Sequence, residues 1–152
     1  MKFSKRKFTK ILSFSALLLL FPVKTILAAT KKIINPNLSK EQKNIMFNEG
    51  TERPFTSELL KEKRKGFYHC ANCGNKLFAS TAKFDSGTGW PSFSEALPGA
   101  FKTKIDKSFG MERVEYHCAK CGAHHGHVFN DGPKESGKRF CNNGLCLIFK
   151  PE

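Results

Sequence analysis

The sequence predicts a mainly β fold, in which small antiparallel sheets follow short N-terminal helices. Two observations lead to this class. From residue 66 onward, short aromatic or β-branched runs alternate with glycines and prolines that favour turns. The runs lie at residues 67–70, 114–118, 127–129 and 145–149. Before residue 66 the patterns are those of helices. The chain has 152 residues, which suits a single domain, and we place it at residues 38–150.

The first predicted helix begins at Ser39. Ser39 is a good N-cap, and Gln42 stands three residues later, as in a capping box. The apolar residues 45–47 would supply its buried face, and Gly50 would end it. A second short helix is expected over residues 57–65, ended by Gly66.

Residues 1–29 are typical of a targeting segment. A basic stretch precedes an apolar run at residues 11–23, which is shorter than the roughly 20 residues that span a bilayer. Small residues at Ala28 and Ala29 favour a signal peptide cleaved after one of them. Lys24 is unusual so near a cleavage site, so an uncleaved membrane anchor is the alternative. We expect export to a periplasmic or other extracytoplasmic location.

The net charge of +13 belongs in part to this segment. Residues 1–29 hold six basic residues and no acidic ones, so the remaining chain carries +7. Its lysines and arginines are scattered, and the one dense run, residues 61–65, is typical of a solvated helix end or loop. A soluble basic domain is therefore favoured over a nucleic-acid-binding protein.

One short segment occurs twice. Residues 68–74 and 116–122 share six of seven positions, and each copy holds a C-x-x-C pair followed by glycine. The pairs are Cys70 with Cys73 and Cys118 with Cys121. Four thiolates satisfy the tetrahedral preference of Zn²⁺ and leave no open position, so we predict one structural zinc ion.

Two disulfides are the alternative for an exported chain, but the doubled C-x-x-C pattern favours zinc. His69 and His117 alternate with the first cysteine of each pair along a strand. They should therefore point away from the metal.

Cys141 is the candidate nucleophile. Arg139 stands two residues earlier, which on a strand is the same face, and a guanidinium beside a thiol stabilises the thiolate. Asn143 shares that face if the strand continues. Three histidines cluster at residues 124–127, where an imidazole can deliver a proton near neutral pH.

The single tryptophan, Trp90, lies in a glycine-rich segment at residues 87–93. Such a loop can present the indole as the wall of a methyl-binding pocket, although ordinary core packing is the alternative.

These motifs resemble the methionine-R-sulfoxide reductase B family over residues 38–149. The resemblance rests on residues 50–55, the two C-x-x-C pairs, the Gly-Trp-Pro-Ser-Phe loop, His-x-Gly-His, Asp-Gly-Pro and Arg-Phe-Cys-x-Asn. It implies reduction of the R epimer of methionine sulfoxide, mainly within proteins, with the zinc site away from the chemistry.

The resemblance also assigns residue roles. It makes Cys141 the catalytic cysteine and Arg139 its stabilising cation. The implied polar network is His124, His127 and Asn143, and the implied substrate-binding residues are Trp90, Phe93 and Asp131.

The chain departs from the family pattern at Thr88, where many members carry a resolving cysteine. Cys146 is the remaining thiol, but in a straight strand it lies roughly 17 Å from Cys141 and on the opposite face. A disulfide needs Cα atoms within roughly 7 Å. Gly144 would permit a bend, yet a buried Cys146 is favoured. We therefore expect an external reductant, either a thioredoxin-like protein or a small thiol, and a monomeric enzyme.

Two rival functions fit part of the pattern. A zinc-knuckle module that binds nucleic acid would leave Cys141 and Arg139 unexplained. A redox chaperone or thiol-disulfide oxidoreductase would use Cys141 and Cys146 as its pair.

Overall fold

Two antiparallel sheets and one α-helix make up the described chain. A computed structural model describes residues 31–152, and the predicted targeting segment lies outside them. Helix α1 is Lys40–Asn48, and the strands are β1 Gly66–Cys70, β2 Lys76–Ala79, β3 Lys83–Phe84, β4 Ser92–Phe93, β5 Phe101–Asp106, β6 Arg113–Cys118, β7 His124–Phe129, β8 Arg139–Asn142 and β9 Leu147–Pro151. No helix within residues 31–152 has the length and apolarity to cross a membrane.

Helix α1 begins where the sequence predicts. The Ser39 side chain accepts a hydrogen bond from the Gln42 backbone N–H, and the Gln42 side chain accepts one from Ser39. Ile45 and Met46 are buried on its inner face. The helix ends at Glu49, which adopts a left-handed conformation.

The second predicted helix is wrong. Ser57 does cap a turn, but that turn is a single 3-10 segment, Glu58–Leu60. The residues that follow are mostly exposed cations, and they offer no apolar stripe to bury against the core. Arg64 instead folds back to pair with Glu62 at 2.6 Å.

The mainly β class is confirmed. Three strands form a small sheet in the order β2-β1-β9, and six form a larger sheet in the order β3-β4-β8-β7-β6-β5. All pairs are antiparallel. Because β8 lies inside the larger sheet, Cys141 on it is flanked by a strand on each side.

The core lies between the sheets and is largely aromatic. Phe78 of the small sheet stacks on Phe93 of the large one, with ring centroids 4.0 Å apart. Tyr68 meets the same Phe93 edge-on at 4.9 Å. These three side chains are fully buried, so their packing fixes how the two sheets sit against each other.

Candidate active site and metal centre

The four paired cysteines converge on one point. Cys70 Sγ lies 3.8 Å from Cys121 Sγ, and Cys73 Sγ lies 3.6 Å from Cys118 Sγ. Sulfurs around a tetrahedral zinc ion, with Zn–S bonds of about 2.3 Å, lie about 3.8 Å apart. The cluster therefore fits a four-coordinate metal, and none of its cysteines is in a disulfide. Since Cys70 ends β1 and Cys118 ends β6, the site joins the two sheets.

The sequence repeat is a repeated metal-binding turn. In each copy the glycine N–H donates to the first cysteine's carbonyl, Gly74 to Cys70 and Gly122 to Cys118, both at 2.8 Å. The flanking histidines contact these turns and not the sulfurs. His69 Nδ1 lies 3.0 Å from the Gly74 carbonyl, and His117 Nδ1 lies 3.3 Å from that of Gly122. Neither histidine belongs to the four-cysteine group, although His117 lies close to Glu115 and His124 in a second group of potential ligands.

A cavity of about 130 Å³ lies at Cys141, and none of the four clustered cysteines lines it. Cys141 lies opposite Ser92 of β4 and His127 of β7. The lining of the cavity includes Trp90, Phe129 and the predicted polar residues His124, His127 and Asn143. The structure thus gathers the predicted nucleophile, proton donors and aromatic wall at one place.

A β-bulge makes this grouping of histidines possible. Residues three apart on a regular strand point to opposite faces. The register between β6 and β7 shifts after Tyr116, so that Tyr116 faces Gly126 and His117 faces His124. His124 and His127 consequently reach the same cavity, and their ring centroids are 5.7 Å apart. His125 turns into the core, where burial lowers its pKa to about 3 and keeps the ring neutral.

His124 is held by Glu115, a residue that the sequence analysis missed. Burial alone would raise the pKa of Glu115, but contacts with His117 and His124 hold it well below its usual range. The carboxylate therefore accepts a hydrogen bond from His124 Nδ1–H. Lys104 Nζ lies 3.1 Å from its other oxygen. With Nδ1 fixed as a donor, Nε2 is the nitrogen that can exchange a proton.

His127 is held in the same manner by Asp106. Its Nε2 lies 2.9 Å from Asp106 Oδ2, and Arg113 pairs with the same carboxylate at 2.7 Å. Burial lowers the pKa of His127, although the Asp106 contact opposes that shift. Neither acid carried a signal in the sequence, because each stands alone in a strand-like run.

The Cys141 thiol is less acidic than its neighbours predict. Burial raises its pKa, while the Arg139 guanidinium and the Thr88 hydroxyl lower it without cancelling the effect of burial. Arg139 acts in the expected direction. However, it also makes a bidentate ion pair with Asp131, both bonds at 2.8 Å, which shares its charge. Burial, Arg139 and Thr88 together thus leave the thiol pKa above its ordinary value, although Arg139 lowers it as expected.

One backbone segment orients both Trp90 and Asn143. The Trp90 indole N–H donates to the Glu52 carbonyl at 2.9 Å, and the Glu52 N–H donates to Asn143 Oδ1 at 2.9 Å. Asn143 also donates to the carbonyl of His125 at 3.0 Å. Strand β8 ends at Asn142, so these bonds, and not strand geometry, fix the Asn143 side chain. The sequence does not indicate this role of Glu52, because both bonds are made by its backbone and not by its side chain.

Two predicted substrate contacts take other places. Phe93 does not line the cavity: it is fully buried between the sheets, because the second residue of β4 turns inward beside Phe78. Asp131 also lies outside the cavity lining and holds Arg139 through the ion pair described above. Asp131 therefore contacts Arg139, which lies beside the Cys141 thiol, and does not contact the cavity.

Cys146 is a buried core residue, as predicted. It is fully buried in a 3-10 turn, Gly144–Cys146, and burial raises its pKa well above the ordinary value. Thr88 stands beside Cys141 and belongs to a chain of hydroxyls. Ser86 Oγ lies 2.8 Å from Thr88 Oγ1 and 2.7 Å from Ser92 Oγ.

Comparison with known proteins places this chain in a class of enzymes, the oxidoreductases that act on a sulfur group. The model of the SelR domain matches residues 38–151. Relatives named "Peptide methionine sulfoxide reductase MsrB" include one from Variovorax paradoxus, 57% identical over 66% of this chain and 74% of its own length. Another, from Methanosarcina barkeri, is 48% identical over 80% of this chain and 84% of its own. That from Thiobacillus denitrificans is 51% identical over 76% and 88%.

The chain therefore belongs to the SelR-domain family, together with these MsrB relatives. The resemblance drawn from the sequence motifs is confirmed. The structure describes all of the matched residues, 38–151.

Proposed function

We propose that this enzyme reduces the R epimer of methionine sulfoxide, mainly in proteins, and so repairs oxidised polypeptides. The observation that carries the proposal is the single cavity in which Cys141 meets His124, His127 and Trp90. A thiol nucleophile, two proton carriers and an apolar wall are what reduction of a methyl sulfoxide requires.

The first step is attack of the Cys141 thiolate on the sulfoxide sulfur. A new S–S contact forms as the sulfoxide oxygen takes up a proton. The S–S bond and the substrate S–O bond of this adduct then break, the oxygen passes as hydroxyl to the Cys141 sulfur, and methionine leaves as the thioether. Cys141 loses two electrons and becomes a sulfenic acid, while the substrate sulfur gains two.

The two histidines supply protons to the oxygen. His124 gives its proton from Nε2, because Nδ1 is committed to Glu115. Glu115 stabilises the cationic ring before transfer, which is the role of the buried acid in a carboxylate–histidine pair. His127 shares the task, directly or through a water, from a ring held at Asp106.

Trp90 and Arg139 have separate tasks. The Trp90 indole, fixed through its N–H to Glu52, forms the wall for the substrate methyl group. Arg139 stabilises the charge on Cys141 as the thiolate forms. Because burial raises the thiol pKa, this support is needed at the moment of attack.

The sulfenic acid is recycled by an external thiol. Two equivalents of thiol, from a thioredoxin-like protein or a small molecule, return Cys141 to the thiol and release a disulfide and water. This assignment is supported by the burial of Cys146 and by the hydroxyl, in place of a sulfur, at Thr88.

We assign the four-cysteine centre to one structural Zn²⁺ per chain. All four ligand positions are taken by sulfur, so no position is open for substrate, and none of these cysteines lines the catalytic cavity. The ion would fix the sheet-to-sheet geometry on which that cavity depends. We further propose that the enzyme is a monomer and that residues 1–29 direct its export. N-terminal sequencing of the extracytoplasmic protein would test the export.

The decisive experiment is turnover of R- and S-methionine sulfoxide in a blocked, peptide-like substrate, with dithiothreitol as reductant. Wild type is compared with Cys141→Ser and Cys146→Ser. We expect reduction of the R epimer alone, lost in Cys141→Ser and retained in Cys146→Ser. The second variant is the matched control, because it also removes one thiol.

Two outcomes would contradict the proposal. If the zinc-loaded, reduced protein turns over neither epimer, the reductase assignment fails. If Cys146→Ser loses recycling with dithiothreitol and with thioredoxin, then Cys146 resolves the sulfenic acid and the external-thiol step is wrong.

A further inference from the structure

A second groove adjoins the catalytic cavity on the other side of Trp90. Its volume is about 500 Å³, and Trp90 lines both spaces. The floor and walls include the aromatic rings of Phe55 and Phe84 together with three lysines, Lys61, Lys63 and Lys83. None of these five residues has a task in the reduction of the sulfoxide.

The local backbone holds the Phe55 ring at the surface. It is the most exposed large apolar residue of the described chain, at 71%. Its backbone is left-handed, with φ 65°, and its N–H donates to the Gly89 carbonyl at 2.7 Å. A Cβ added at Gly89 would lie 2.9 Å from the Phe55 ring, so the ring rests directly on this glycine. The ring is thus fixed beside the loop that carries Trp90, and no described residue covers it.

The groove is basic. Lys61 and Lys63 are exposed, and no described carboxylate pairs with them. Lys83 is half-buried and donates to the Leu60 carbonyl at 3.0 Å. Asp85 is the one acidic residue in the lining. Glu62 does not line the groove and pairs with Arg64, although its charge also acts on Lys83. The lining therefore carries a net charge of +2.

We propose that this groove binds the polypeptide segment next to the oxidised methionine and favours acidic residues in it. The inference rests on the proposed function. Trp90 lines both the groove and the catalytic cavity, so a chain whose sulfoxide reaches Cys141 can continue across the groove. The aromatic rings would contact the apolar parts of that segment, and the lysines would pair with its carboxylates.

Binding tests the groove independently of turnover. Cys141→Ser protein is titrated with three peptides that differ only next to the methionine-R-sulfoxide, where they carry two Asp, two Asn or two Lys. Trp90 is the chain's single tryptophan and lines the groove, so its fluorescence reports occupancy. At low ionic strength the Asp peptide should bind about 2- to 30-fold more tightly than the Asn peptide. The preference should shrink with added salt.

Charge reversal tests the lysines. In otherwise wild-type enzyme, Lys61→Glu with Lys63→Glu should raise KM for the Asp peptide and lower it for the Lys peptide. The matched control is Lys40→Glu with Lys102→Glu, which changes the net charge equally. Both control residues are exposed, and Lys102 lies on β5, at the opposite edge of the large sheet from Lys83 on β3. Phe55→Ser should raise KM for all three peptides. Turnover of a small blocked methionine sulfoxide should be unchanged in the lysine variants and in Phe55→Ser.

Equal affinity for the Asp, Asn and Lys peptides would overturn the inference, as would equal effects of the groove and control variants. If the small blocked substrate is not turned over by wild type, the proposed function fails instead. The binding titration separates the two failures, because it requires no chemistry at Cys141.

Discussion

Replacing Glu115 with glutamine should slow turnover about 10- to 150-fold while leaving KM almost unchanged. The Glu115 side chain is 2% exposed and accepts a hydrogen bond from His124. Glutamine keeps its shape but removes the charge that stabilises a protonated His124. A hydrogen bond to a buried charged group contributes about 1.5–3 kcal/mol, and each 1.4 kcal/mol is about tenfold in rate.

The assay compares kcat and KM for the R epimer with the rate at which iodoacetamide alkylates Cys141. Alkylation needs the thiolate but no proton donor, so it should change little in Glu115→Gln. The matched control is Glu112→Gln, three residues earlier. Its side chain is 67% exposed and meets only Lys107, at 3.7 Å, so turnover should stay within twofold of wild type.

A Glu115→Gln enzyme that is folded and metal-loaded, yet has a kcat within twofold of wild type, would refute this reasoning. Equal losses in alkylation and in kcat would also count against it. They would mean that the substitution disturbs Cys141 itself and not proton delivery.

Three further perturbations follow from the site and the metal centre. Gly126→Ala should cost about 1–3 kcal/mol of stability and most of the activity, because its Cβ would overlap the Cys141 carbonyl oxygen. The control for activity is Gly99→Ala, whose Cβ meets open space; its left-handed φ of 71° should cost about 1–2 kcal/mol of stability but leave turnover unchanged, and thermal unfolding with turnover measures both variants. Burial raises the pKa of Cys141 above its ordinary value, so alkylation should keep rising with pH through the range in which an ordinary thiol ionises. In Arg139→Ala this rise should move to still higher pH, and a plateau below about pH 8 in wild type would contradict the reasoning. Cys73→Ser should lose stoichiometric metal and more than about 4 kcal/mol of stability, whereas Cys146→Ser should retain the metal.

The sequence by itself determined the parts of this protein whose chemistry lies in local patterns. A repeated C-x-x-C segment at a fixed spacing specifies the metal turns, since neighbouring cysteines and a glycine are enough to build each one. The capping box at Ser39 fixed the start of α1 for the same reason. Cys141 was distinguishable because the other cysteines had a partner or an apolar setting.

Only the tertiary structure decided which distant groups serve that thiol. A bulge in the pairing of β6 with β7, after Tyr116, brings His124 and His127 to one face. No pattern in the sequence predicts this register shift. Glu115 is buried although strand alternation would allow it to face solvent, because Lys104, His117 and His124 lie against its carboxylate. Phe93 is in the core because its ring packs on Phe78 of the opposite sheet. Local sequence specifies turns and caps, whereas pairing across strands and sheets depends on contacts between residues far apart in the chain.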